Sequence, residues 1–407
     1  MAEQNSVAPK SGATIKIAPK SIPTTGTTAP VEEKDMFTRN PVVTCIAAGQ
    51  GGYNGMRAML EYPFCSPENC FYLNYKTDLT AAKLLDPANR ININPNSFGA
   101  GKSRDKAKAD ATQAMELWSK ELRSKINPKT EKIYIFTSAG GGFGSGAGPL
   151  ISAIVSQDNF LDHKGRTIPV EVITFKPALS ANREEWYNYS EALKEYNALV
   201  NAKAISLYIA DLSSCDSDDP IAAAEAVDKE VARLLYRFDA LNYLSSSSNL
   251  DFEDRYVLAT TPKMRGLLTY DPVEGSYSTP FVMPKGELVS RLGCEIPETD
   301  ESKIDAFIRS FGVTVLDRSF KGLYPKSAES KGAQPVVFFA GYNVPEAVLA
   351  ESNDVVTELN RKAESLAKND EQKTKGIFDM QAENKNAIRD SNARGDQDIA
   401  SIMNLIS

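Results

Sequence analysis

Histidine is almost missing: one residue in 407, His163, set in Asp-His-Lys-Gly, which reads as an exposed turn. That excludes a Ser-His-Asp hydrolase and a histidine-rich metal centre, so any catalysis must rest on carboxylates, bound cations and backbone dipoles. Cysteine is scarce, with five residues (Cys45, Cys65, Cys70, Cys215, Cys294) in an odd count and without CxxC spacing. That pattern predicts reduced, scattered thiols of a cytoplasmic protein, and neither a disulfide framework nor a zinc site. No apolar run approaches membrane-spanning length and the N-terminus lacks a signal-peptide core, so a soluble protein with no membrane partner is expected. Positive charge is in deficit: 46 Lys and Arg against 53 Asp and Glu give a net charge of −7. A broad basic face for nucleic acid is therefore not expected, although a local tail could still serve.

What the chain does have is glycine in organised clusters. Thr137 to Pro149 reads Thr-Ser-Ala-Gly-Gly-Gly-Phe-Gly-Ser-Gly-Ala-Gly-Pro, after the strand-like Lys132-Ile-Tyr-Ile-Phe136 and before the helix-like Leu150-Ile-Ser-Ala-Ile-Val155. Strand, glycine loop, helix is the order of an anion site, because unpaired amides gather at the positive end of the helix dipole. Gly140, Gly141, Gly142, Gly144 and Gly146 are read as letting the backbone take positive φ and approach a phosphate, with the Ser145 hydroxyl adding a bond. A Cβ at Gly142 or Gly144 is expected to fill the space the phosphate needs.

A second such unit begins at Pro41-Val-Val-Thr-Cys-Ile-Ala-Ala48, passes through Gly49-Gln-Gly-Gly-Tyr-Asn-Gly55 and enters the helix Met56 to Glu61. Its GxGGxxG pattern alone would suggest a Rossmann dinucleotide site and an oxidoreductase, but no acidic residue closes a following strand at the spacing a ribose needs. The Gly-Lys-Ser of Phe98-Gly-Ala-Gly-Lys-Ser-Arg104 invites a Walker A reading, yet the first glycine of that motif would fall on Asn96 and no Walker B aspartate ends Ile133 to Thr137. A helix is expected over Asp105 to Arg123 and another over Leu79 to Leu85, with Asp78 as its cap or as a magnesium organiser.

Further on, strands are expected at Ile168 to Phe175 and Ala204 to Ala210, with a helix from Glu184 to Val200 between them. Asp218-Asp-Pro220 opens a long helix whose apolar residues recur at helical spacing through Leu244. Beyond it the reading gives strands at Arg255 to Ala259, Gly312 to Leu316 and Pro335 to Ala340, helices at Gly286 to Leu292 and Glu301 to Phe311, and an amphipathic helix from Val344 to Lys368. Residues 1 to 40 have few large apolar groups and are expected to be a disordered arm. Asn369 to Ser407 ends in an apolar stripe (Ile399, Ile402, Met403, Leu405, Ile406), read as either disordered or a docking helix.

Gly140-Gly-Gly-Phe-Gly-Ser-Gly146 resembles GGGTGTG, the phosphate-wrapping signature of the tubulin/FtsZ superfamily, with Phe143 where Thr or Ser is usual. Gly49-Gln-Gly-Gly-Tyr-Asn54 resembles the first tubulin glycine loop, Lys76-Thr-Asp78 the Asn-Thr-Asp of FtsZ, and Gly99-Ala-Gly-Lys-Ser103 the loop at the γ-phosphate end. Asn249-Leu-Asp-Phe-Glu-Asp254 matches NxDFxD, the loop that completes the nucleotide site of the next subunit. The order of these loops resembles that of the superfamily as a whole, and within it the segment from Asp228 to Leu267 and the long C-terminal helix look most like TubZ and the phage-encoded tubulins.

The resemblance implies a tubulin/FtsZ fold of the α/β class. It divides the chain into a Rossmann-like parallel-sheet GTPase domain (41–219), a long central helix (220–245), a smaller α/β domain (246–343) and a C-terminal helix and tail (344–407). It implies GTP or GDP with Mg²⁺ as ligands. The binding set is Gly49, Gln50, Gly51, Gly52, Asn54, Asp78, Gly99, Ala100, Gly101, Lys102, Ser103, the Gly140–Gly146 run with Phe143 and Ser145, and Asn182 on the ribose side. Arg104 would add charge beside Lys102. Asp228 stands where the family has a guanine-reading Asn, and Ala224 stands where an aromatic often stacks on the base. Asp251, Asp254 and Asn249 would be catalytic. The activity implied is GTP hydrolysis coupled to self-polymerisation in a bacterial or phage-infected cytoplasm, with the filament positioning DNA through an adaptor or phage cargo on the tail. A tubulin fold that assembles without hydrolysis is the structural alternative.

Overall fold

The sheet begins with strands apolar enough to be buried on both faces. In the computed structural model, which describes residues 41–158, 160–161, 165–215, 217, 219–240, 250, 252–324, 335–366 and 368, β1 (Val43–Ala48) has every residue buried and β4 (Lys132–Ser138) all but the last. Such near-continuous runs mark parallel strands covered by helices on each side. With β2 (Cys70–Asn74), β3 (Arg90–Asn92), β5 (Val170–Lys176) and β6 (Ser206–Asp211) they form a parallel sheet in the order β3-β2-β1-β4-β5-β6. The chain runs outward from β1 to β3 and then returns to β4 on the other side of β1. The switch point therefore lies between β1 and β4, where a crevice opens at the C-terminal edge. Ala48 pairs with both Leu73 and Thr137, so the strand ends are level there.

The connecting helices are α1 (Gly49–Met59), α2 (Lys76–Leu79), α3 (Arg104–Gln113), α4 (Met115–Lys125), α5 (Gly142–Gln157) and α6 (Arg183–Asn201). Three expectations change. The helix expected over Leu79 to Leu85 is only the short α2, and the one expected from Asp105 to Arg123 is broken at Ala114, whose φ of −103° and ψ of 18° leave the helical region. Both glycine stretches read as loops are instead the first turns of helices, α1 starting at Gly49 and α5 at Gly142.

The second half opens with α7 (Pro220–Ala240), whose buried Val227, Val231, Leu234, Leu235 and Phe238 recur at helical spacing. Asp219 caps it, accepting the Ile221 N–H at 2.9 Å. Next come α8 (Phe252–Thr260), β7 (Lys263–Asp271), β8 (Ser276–Ser278), β9 (Leu288–Pro297), α9 (Glu301–Ser310), β10 (Thr314–Tyr324) and β11 (Val336–Tyr342). The sheet continues β6-β7-β11-β9-β10, held to the first half by two residue pairs between β6 and β7. Two assignments reverse. The strand expected at Arg255 to Ala259 is α8, since Arg255, Leu258 and Ala259 are buried at i, i+3, i+4 spacing. The helix expected at Gly286 to Leu292 is the start of β9, where Leu292, Cys294 and Ile296 alternate inward between β10 and β11.

A buried ionic group crosses these elements. Lys132 Nζ lies 2.7 Å from Asp239 and 3.1 Å from Glu171, Arg265 pairs with Glu171, and the Tyr134 hydroxyl donates to Asp239 at 2.6 Å. The cysteines also depart from the scattered reading: Cys45, Cys65 and Cys70 are buried with their sulfurs within 4.8 Å of one another. Residues 346–366 are helical. Compactness divides the chain into Met1–Ser352 and Asn353–Ser407; the arm and most of the tail lie outside the described residues. Among the described residues no helix is long and apolar enough to cross a membrane.

Candidate functional site

Gly49 takes a φ of +78°, which turns the chain from β1 directly into α1. Behind it the helix presses on the end of β4: a Cβ on Gly52 would stand 2.2 Å from the Phe136 carbonyl oxygen and one on Gly51 2.4 Å from the Ser138 Cβ. The start of α5 is fitted in the same way. A Cβ on Gly142 would meet the Lys102 backbone at 2.4 Å, one on Gly144 the Ser138 carbonyl at 2.3 Å, and one on Gly146 the Arg104 carbonyl at 2.2 Å. This corrects the expected role of these glycines. None of Gly140 to Gly146 has positive φ, and at Gly142, Gly144 and Gly146 the missing Cβ makes room for protein backbone.

The position that faces open space is Gly141, the exposed N-cap of α5, with nothing within 4 Å of a Cβ built there. The helical ladder starts with Ser145 N–H to the Gly141 carbonyl at 3.1 Å, which leaves the amides of Gly142, Phe143 and Gly144 ahead of it. The Ser145 hydroxyl does not reach the opening: it is fully buried and donates to the Gly142 carbonyl at 3.2 Å. Phe143, where the resemblance expected a hydroxyl, is a wedge with its ring edge-on to Tyr75 at 5.5 Å. Gly140 is held by a residue not anticipated from the sequence, buried Asn188, whose amide donates to its carbonyl at 3.2 Å.

A third segment borders this opening. Gly99, Gly101 and Lys102 take φ values of 147°, 58° and 65°, and the Ala100 carbonyl accepts the Ser103 N–H at 3.0 Å, folding 98–103 into a tight exposed loop. Ser103 caps α3, accepting the Lys106 N–H. The Lys102 side chain is exposed, but Arg104 is buried and spent on Glu195, so it does not supply charge at the opening. Thr77 ties α2 to this loop through the Phe98 carbonyl at 3.2 Å, and Asp78 beside it is exposed. Asp78 is not a cap, because the N-cap of α2 is Tyr75. Asn182 is the exposed N-cap of α6 and shares a reciprocal capping box with Glu185.

On α1, Gln50 and Asn54 are bonded to each other at 3.1 Å, and Tyr72 donates to Gln50 at 3.3 Å. Below them a cleft of about 450 Å³ runs between α1 and α7, lined by Asn54, Arg57, Glu225 and Asp228 among others. Asp228 is 7% exposed, and burial pushes its carboxyl up to about 7, with Arg57 opposing and Glu225 adding to the rise. Arg57 and Glu225 were not anticipated; each lies one helical turn from an anticipated residue, Asn54 and Asp228. Asn249 and Asp251 lie outside the described residues, and Asp254 sits in the first turn of α8, half-buried and engaged in contacts.

The strand order β3-β2-β1-β4-β5-β6 suits both a dinucleotide-binding Rossmann domain and a tubulin-like one. No family model matches the chain, and no curated protein does. Among solved structures, TubZ from Clostridium botulinum phage c-st, without its C-terminal tail, matches with a TM-score of 0.61 at 19% identity, covering 79% of this chain and 99% of that one. The chain has the tubulin/FtsZ fold. The same fold relates it to TubZ of Bacillus thuringiensis serovar israelensis in a GTPγS-form protofilament (TM-score 0.64, 17% identity, 80% and 94% covered). It also relates it to CetZ from Methanosaeta thermophila strain DSM 6194 (TM-score 0.57, 18% identity, 83% and 97% covered). Within that fold, the segments carrying Gly49 to Asn54, Gly99 to Lys102 and Gly140 to Gly146 meet at the C-terminal edge of the sheet.

Proposed function

We propose that this chain binds GTP across the β1/β4 crevice, polymerises head to tail and hydrolyses the nucleotide where two subunits meet. The observation that carries the reading is the open N-terminus of α5 at Gly141, flanked by α1 and the 98–103 loop. Amides that precede the helical ladder, at the positive end of a 16-residue helix, suit an anionic phosphate chain. Gln50 and Asn54 add side-chain donors, and Asp228 offers acceptors for the N1–H and N2–H of guanine, which adenine cannot supply. Exposed Asp78 would hold the magnesium of the nucleotide through water. When bound, the cation neutralises charge developing on the phosphoryl oxygens. Support for assembly comes from the similar TubZ of Bacillus thuringiensis serovar israelensis, which forms a GTPγS-form protofilament. Asp251 and Asp254, with Asn249, would orient the attacking water. The same reading makes the tail (369–407) the attachment point for a DNA-bound adaptor or phage cargo, in a bacterial or phage-infected cytoplasm.

Light scattering with GTP, GDP or ATP, run beside phosphate release, tests the whole reading. Polymer and phosphate are expected with GTP alone. Gly141→Val should lower GTP affinity at least tenfold while the chain stays folded, because its Cβ enters open space with no protein atom within 4 Å and the cost is confined to the N-cap of α5. Equal affinity in that variant, or equal assembly with ATP, would sink the proposal.

A further inference from the structure

Of the five cysteines, three leave separate stretches of chain and converge inside the first half of the sheet. Cys45 and Cys70 are register partners on neighbouring parallel strands, and Cys65 comes from the segment between α1 and β2. Cys65 Sγ lies 3.6 Å from Cys45 Sγ and 3.5 Å from Cys70 Sγ. Those separations are far from the roughly 2.0 Å of a disulfide. They are close to the roughly 3.8 Å between sulfurs that share one zinc with Zn–S bonds near 2.3 Å. We propose that Cys45, Cys65 and Cys70 are the three thiolate ligands of a structural zinc ion.

The donor set selects the metal. Thiolates favour soft ions, and among the described residues no histidine or carboxylate joins the cluster, which excludes magnesium and calcium. Charge then separates the soft ions: three thiolates with Zn(II) leave a net −1, whereas Cu(I) would leave −2 around sulfurs that are almost fully buried. Binding replaces three S–H bonds by three Zn–S bonds and passes three protons to solvent. The fourth position would open to solvent beside Cys65, which at 5% is the only one of the three with any exposure. The ion would pin β1, β2 and the segment between α1 and β2, the framework behind the Gly49 turn, and needs no nucleotide to do so.

The full chain, purified under reducing conditions, would be titrated with Co(II) and then Zn(II). The expected result is a thiolate-to-cobalt charge-transfer band that zinc abolishes, about one ion per chain and about three protons released. Cys65→Ser should lose the band, whereas Cys215→Ser, outside the cluster, should keep it. Absence of the band and of proton release in the wild-type chain would overturn the site whatever the variants do. So would an unchanged band in Cys65→Ser, or a metal-free chain found two hydrogens lighter through a disulfide at Cys65.

Discussion

Burial of Asp228 between α1 and α7 sets a pH dependence that can be read without any ligand. Its carboxyl titrates at about 7 in the folded chain, against about 3.9 unfolded. Between those values the folded chain keeps a proton that the unfolded chain has released, so stability falls as pH rises through the window and levels off above it. At 1.36 kcal/mol per unit, the loss from this one group is at most about 4 kcal/mol. Asp228→Asn removes the charge and should make the chain more stable than wild type at pH 8 by a few kcal/mol, with little difference at pH 4.5. Urea unfolding at the two pH values decides it; a gap of equal size at both would show that Asp228 is not the titrating group. At this scale the sequence marked Asp228 and the glycines but not their reasons. Whether a missing Cβ makes room for phosphate or for the Ser138 carbonyl depends on what lies across from it, and that neighbour is distant in sequence. The same holds for Cys45, Cys65 and Cys70, whose spacing resembles no metal motif because strand pairing brings them together.

Elements were legible where one periodicity dominated and opaque where glycine or mixed burial blurred it. The apolar runs of β1, β4, β5 and β6 and the helical stripe of α7 all read through. The starts of α1 and α5 did not, because glycine is a poor helix former and the cost is offset here by close packing on β4 and, for α5, on the backbone of Lys102 and Arg104. Nor did the ionic group that joins β4, β5, α7 and β7, since a lone charge in an apolar strand carries no signal of its partner. That group supports a second prediction. Lys132 serves Asp239 and Glu171 together in a site it exposes to only 6%, so Lys132→Met should cost about 3–5 kcal/mol by stranding buried negative charge. Adding Asp239→Asn should restore part of the loss, because one of the two carboxylates is then neutral. Chemical denaturation of the three chains measures it, and a single variant within about 0.5 kcal/mol of wild type would mean that the charges are solvated after all.

At the scale of the molecule, α7 decides where the proposed hydrolysis would take place. Its 21 residues span about 30 Å; the cleft lies along its first half, where Glu225 and Asp228 stand, and Asp239 near its last residue binds Lys132 at the first residue of β4. The opening at Gly141 lies beyond the last residue of that strand, so the two ends of α7 serve opposite edges of the sheet. Arg255 on α8 donates to the Phe238 carbonyl, which fixes Asp254 near the far end. A strand of seven residues is about 23 Å long, too far for a carboxylate at one edge to orient water at a phosphate on the other. Under the proposed function, Asp254 would therefore act on the nucleotide of another copy stacked edge to edge. Asp254→Ala should bind GTP as wild type does and assemble, yet lose up to several powers of ten in phosphate release, leaving filaments that persist. Mixed with a Gly141→Val chain, which keeps Asp254 but loses the nucleotide, it should regain part of that rate at mixed junctions. Wild-type turnover from Asp254→Ala at concentrations too low for assembly would show that one subunit hydrolyses GTP alone, and the shared site would be wrong.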